Sequence, residues 1–226
     1  MRTMGPGIWV QEQSFKLPVI GNIGGRMTVI RLNNGEVMLI SPVPLIQEIR
    51  DSLLTKGPVR YLVGPNSTHH LCLASYKLEF PEALLAGPVK LQRKRADLQF
   101  QVSIEDGKAM PWSPEVDTLL VDSPGKMSEA VFFHRASQTL IVTDLMFNLQ
   151  RFNGKISEAF AQLNGNFKKL TMTRMGKALW RDREKLRGRI ETISRWNFEQ
   201  IILAHGETVE FKGKQKFLDS FDWLLH

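Results

Sequence analysis

The segment 129–145, EAVFFHRASQTLIVTDL, constrains the fold of this chain more than any other. It holds two apolar runs rich in β-branched and aromatic residues, and the RASQ between them has the length of a hairpin loop. A second pair of runs, MTVIRLNNGEVMLIS over 27–41, turns on Asn33, Asn34 and Gly35, residue types that accept positive φ. Further strands are expected at DTLLVDS and at residues 59–63, 84–86, 98–103 and 200–204. Helical spacing comes between them. Leu45, Ile49, Leu53 and Leu54 mark a helix stopped by Gly57, and 68–80 reads as helical until Pro81. KISEAFAQL, a long segment over 175–198 and a closing stretch over 217–225 complete the helical set. Strands and helices that alternate along 226 residues, 42 % of them apolar, predict an α/β (α+β) fold with a full core. Disordered, collagen-like and coiled-coil chains are excluded. No Ser/Pro/Gly linker or repeat interrupts the pattern, so one domain over 1–226 is expected.

Cys72 is the only cysteine, which rules out an intrachain disulfide and agrees with a reducing compartment. The start, MRTMGPGIWV, lacks the apolar stretch of a signal peptide, and even LIVTDLMF is broken by Asp144 before it nears a membrane span. The expectation is a cytoplasmic protein without a membrane partner. Thirty Lys and Arg against 23 Asp and Glu give a net charge of +7, which allows anionic ligands without requiring nucleic acid.

Four of the five histidines stand at the ends of expected strands: His69 and His70 after YLVGPNST, His134 after VFF, and His205 after IILA. An α/β sheet presents functional groups at such ends. PNSTHH, DSPGK, LIVTDL and ILAHG follow one another in the order of the metal-binding motifs of the metallo-β-lactamase superfamily, and from about residue 28 to 206 the chain resembles that superfamily. The resemblance implies a four-layer αββα sandwich with metal held along one edge. It also implies which ligands are missing. Where the family has the histidines of its first metal, this chain has Pro65, Ser67 and Lys126. What survives is the set for a second metal: His69, His70, Asp144 and His205. Three imidazoles and a carboxylate suit one divalent cation, Zn first, with Fe or Mn as alternatives, or none if the site has degenerated.

Hairpin geometry excludes His134 from that set. With RASQ as the loop, His134 pairs with Thr139 and Asp144 lies opposite Glu129, so His134 and Asp144 are roughly 17 Å apart along the strands. The PGK turn falls at the Asp144 end instead. Lys126 is therefore expected to hold an anionic substrate or stabilise its oxyanion, with Asp144 also in the catalytic set.

The implied function is metal-dependent hydrolysis of a small ester, thioester or phosphoester. The alternative is a non-catalytic protein that keeps the fold and holds an anionic ligand or partner. Four protein ligands describe a closed structural site, so chemistry requires that one of the four stay unbound or that the cation become five-coordinate. One further feature stands apart: residues 168–195 carry ten basic and three acidic side chains, a local +7 equal to the whole net charge. Leu179, Leu186, Ile190 and Ile193 give this segment an apolar stripe, which reads as an amphipathic helix with a solvated basic face. Its few aromatic residues argue against nucleic-acid binding.

Overall fold

A computed structural model describes every residue except 14, 15, 18–20, 23, 126 and 153. In chain order it contains β1 (Arg2–Gly5), β2 (Ile8–Gln13), β3 (Lys16–Leu17), β4 (Gly21–Asn22), β5 (Gly25–Arg31), β6 (Val37–Ile40), α1 (Gln47–Leu54), β7 (Val59–Val63), α2 (Leu73–Glu79), β8 (Leu84–Pro88), α3 (Val89–Lys94) and β9 (Val102–Ile104). Then come β10 (Val116–Asp122), β11 (Ser128–His134), β12 (Thr139–Val142), β13 (Phe147–Asn148), α4 (Lys155–Asn164), β14 (Leu170–Thr171), α5 (Arg174–Leu179), α6 (Arg183–Ser194), β15 (Gln200–Leu203) and α7 (Gly213–Leu225).

Two large sheets result, one ordered β1-β2-β5-β6-β7-β8-β9 and the other β10-β11-β12-β15. Alternate residues of a strand point to opposite faces, so a strand covered on both sides must be apolar throughout. Val37 to Ile40 shows this: Met38 and Ile40 face the other sheet, while Val37 and Leu39 face helices. Between the sheets Ile30, Met38 and Val63 meet Phe132, Ile141 and Ile202. Outside the first sheet, Ile49, Leu53, Tyr76 and Leu91 of α1, α2 and α3 cover Val29, Leu39 and Leu62. Outside the second, Leu186, Ile190, Phe217 and Phe221 of α6 and α7 cover Val131, Leu140 and Ile201. Three cores between four layers make the αββα sandwich expected from the sequence.

Both expected hairpins form: the first pairs Thr28 with Ile40, and the second has the expected register, with His134 opposite Thr139. Elsewhere local chemistry redraws the boundaries. Residues 68–72 are turn rather than helix, because the Asn66 side chain accepts hydrogen bonds from the backbone N–H of Thr68 and His69, both at 2.8 Å. The long helix expected over 175–198 divides into α5 and α6: Asp182 accepts from Lys185 N at 2.9 Å and starts a new helix, and Trp180 is buried at the break. α3 and the β1–β2 hairpin were not foreseen, and β9 falls at the end of the expected 98–103 strand. No helix among the described residues is long and apolar enough to cross a membrane.

Candidate metal centre

β12 and β15 are parallel neighbours, with Val142 opposite Leu203. Asp144 and His205 each lie two residues past those partners, so the register alone delivers a carboxylate and an imidazole to one edge of the sandwich. His69 arrives from the other sheet, on the turn between β7 and α2. The three donor atoms converge. His69 Nε2 lies 3.2 Å from His205 Nε2 and 3.3 Å from Asp144 Oδ1, and His205 Nε2 lies 3.7 Å from Asp144 Oδ1. A triangle with these sides has a circumradius of about 2.0 Å, which is the length of a Zn–N or Zn–O bond. The donor set therefore fits a divalent cation.

The surrounding bonds aim these atoms. His205 Nδ1–H donates to the Gly24 carbonyl at 2.7 Å, which leaves the Nε2 lone pair directed into the cluster. His69 Nδ1 is 2.7 Å from Ser41 Oγ, a hydrogen bond that fixes the plane of its ring. Phe147 stacks on the His205 ring at 5.5 Å and shields one of its faces. For Asp144, Asn66 Nδ2 donates to Oδ2 at 2.8 Å and the Thr68 hydroxyl donates to the same oxygen, so Oδ1 is left for the cluster. Glu129 acts from beneath: its two carboxylate oxygens accept the backbone N–H of Thr143 and Asp144, each at 2.7 Å. The buried guanidinium of Arg26 donates to the carbonyls of Leu203 and Gly206, on either side of His205. Gly206 turns the chain at φ +82°, where a Cβ would collide with the Asn148 carbonyl.

Two imidazole lone pairs 3.2 Å apart repel unless a proton or a cation lies between them. In the metal-free protein a proton on His69 would serve. Burial opposes a charge on His69, but the Asp144 carboxylate outweighs burial and raises its pKa above the ordinary histidine value. Burial and the neighbouring His69 push His205 down to about 4. Burial also works against ionised Asp144, yet His69 and His205 hold its carboxyl well below the usual carboxylate range. Glu129 moves the other way, to about 7, through burial and the charge of Asp144.

His70 does not join the cluster, which corrects the ligand set implied by the resemblance. Adjacent residues on a turn project to different sides, and Arg95 Nη1 lies 3.1 Å from His70 Nδ1 while burial, Lys94 and Arg95 lower its pKa. His134 stands at the opposite end of β11 from Glu129, bonded to Ser137 Oγ at 2.7 Å. Lys126 lies outside the described residues. Sequence reasoning missed Ser41, Asn66, Thr68 and Arg26. For Asn66 and Thr68 the signal was present as an Asx-turn pattern within PNST, at the positions a histidine motif treats as free. Ser41→Ala removes the partner of His69 Nδ1 alone. Its expected effect is about tenfold weaker metal binding, read by competition with a chromogenic chelator.

A model of a domain of unknown function (DUF4336) matches residues 6–174, three quarters of the chain. The chain belongs to the DUF4336 family. A comparison with curated proteins finds no match. Solved structures give the DUF4336 sandwich its fold. The mono-zinc form of the metallo-β-lactamase FIM-1 from Pseudomonas aeruginosa aligns over 99 % of this chain and 93 % of its own, with a TM-score of 0.67 and 12 % identity. A metallo-β-lactamase from Pontibacter korlensis aligns over 98 % and 95 %, with a TM-score of 0.66 and 13 % identity. The Flv1 flavodiiron core from Synechocystis sp. PCC6803 aligns over 98 % of this chain and 59 % of its own, with a TM-score of 0.66 and 11 % identity. The DUF4336 chain thus has the metallo-β-lactamase fold.

Proposed function

We propose that this protein is a metal-dependent hydrolase-like enzyme with a single divalent cation, zinc first, held by His69, Asp144 and His205. The observation that supports it is the donor triangle, whose three atoms come from distant parts of the chain and surround a point at bonding distance from each. Three protein ligands instead of four leave a position for water or substrate, as in catalytic zinc sites. A cation bound there supplies Lewis acidity and brings the pKa of water toward neutrality. The residues of the chain do the rest. The Gly24 carbonyl holds His205 in the ligating tautomer, Ser41 orients the His69 ring, Asn66 and Thr68 fix Asp144, and the Phe147 ring keeps water from one side of His205. The reading assigns Lys126 to oxyanion stabilisation from its place three residues before Glu129. The substrate class is a small, anionic ester, thioester or phosphoester.

A second reading has one observation in its favour. The Asp144 carboxylate, 3.3 Å from His69 Nε2, raises the pKa of His69, and a proton held there would satisfy the cluster without metal, as a binding protein that kept the fold would require. Elemental analysis of protein purified without chelator separates the two. About one equivalent of metal per chain, together with chelator-sensitive hydrolysis of a chromogenic ester or phosphoester that zinc restores, supports the enzyme. Metal-free protein after full zinc supplementation supports the alternative.

A further inference from the structure

Seven of the ten cations of the basic segment form two groups. On α6, Lys185 pairs with Asp122, Arg187 with Glu191 and Arg189 with Asp106. Lys169, Arg174 and Lys177 upstream of α6, and Arg183 at its first position, make no ion pair among the described residues. They are nevertheless close together. Lys177 and Arg183 lie over the Trp223 ring at 4.2 and 4.7 Å, and Arg174 Nη1 donates to the Leu163 carbonyl at the end of α4 at 3.2 Å. Burial and the charges of Lys169, Arg183 and Arg174 lower the pKa of Lys177, so each of the three repels Lys177.

The same segments, with α7, carry exposed apolar side chains. Leu163 is 73 % exposed, Met175 55 % and Leu179 42 %; with Phe160 and Trp223 they are five of the eleven large apolar side chains exposed among the described residues. Single exposed apolar residues need no explanation, but a group interleaved with unpaired cations does.

We propose that the face formed by α4, α5 and the start of α6 binds the surface of an anionic lipid bilayer. Cations meet headgroup phosphates there and apolar tips enter the acyl boundary, the combination that holds interfacial helices. A nucleic acid would use the cations but offer nothing to Leu163 and Met175. Base stacking is also blocked, because Trp180 is buried and the Trp223 ring is covered by two cations. The lack of an apolar span excluded only crossing a bilayer; lying on one requires this shallower contact.

The test is flotation of the full chain with phosphatidylcholine vesicles, with and without about 30 % phosphatidylglycerol, at low and high salt. Binding is expected only to the anionic vesicles, and high salt should release it. Arg174→Ala with Lys177→Ala should weaken partitioning about 30-fold, and Lys169→Ala with Arg183→Ala repeats the test on different residues. Leu163→Ser with Met175→Ser should weaken it as well. No flotation with anionic vesicles, or flotation indifferent to the apolar pair, overturns the proposal. Tighter binding to a DNA duplex than to the anionic vesicles does so too, in favour of nucleic acid. Circular dichroism and metal content of each variant establish that fold and metal centre are intact.

Discussion

His205→Ala abolishes stoichiometric metal binding, while His134→Ala leaves it intact. The first removes one donor of three, and the two that remain come from opposite sheets, an arrangement too weak to retain a cation against buffer. Affinity is expected to fall by at least about a thousandfold, since even the loss of a supporting bond around a metal ligand costs 10–100-fold. The second deletes a histidine whose Nδ1 bonds to Ser137 at the far end of β11. Thermal unfolding gives an independent readout. Zinc at about a hundredfold excess over its Kd should stabilise the wild type by about 2.7 kcal/mol. For a chain of this length that is a rise in Tm of about 5–10 °C. His205→Ala should show no such rise. Full metal occupancy in His205→Ala would remove the centre from consideration.

Arg26→Ala lowers stability by about 3 kcal/mol. Its guanidinium is buried against the carbonyls of Leu203 and Gly206, the latter at 2.6 Å, and binds Glu12 through two nitrogens at 2.9 and 3.1 Å. Each buried carbonyl that loses its charged donor costs about 1–3 kcal/mol. Glu12, more than half exposed, regains water and contributes little. Because both carbonyls flank His205, metal affinity should fall together with stability. Arg26→Lys restores the charge but not the planar fork, so less than half of the loss should return. Denaturant titration checks this: the midpoint shifts while the slope stays constant. A change under about 1 kcal/mol would show that water replaces the arginine without loss.

The strands of the two expected hairpins and the Asp144 end of the site were legible because hairpin spacing fixes register. RASQ alone placed Glu129 opposite Asp144, and the Glu129 carboxylate does bind the backbone there. The convergence of Asp144 with His205 was legible only through the order of motifs, since it depends on β12 pairing with β15, a contact between residues about sixty apart. His70 could not be told from His69 by pattern, because which of two neighbours on a turn faces inward is decided by Arg95, which lies 25 residues on. Arg26 was hidden for a similar reason. Its carbonyl partners lie about 180 residues away, and a charged residue in a strand reads as a solvent face until the loop that buries it is known. The division of the long C-terminal helix was written locally, in the capping residue Asp182, but the apolar stripe running past it masked the break.

One feature of the centre reaches beyond chemistry. Of its three donors, His69 belongs to the first sheet and Asp144 and His205 to the second, so a bound cation would rivet the two halves of the sandwich across their open rim. Prying the halves apart would then require breaking a coordination bond, and proteases would find fewer opened molecules. The lifetime of this protein in a cell would rise and fall with the supply of the ion.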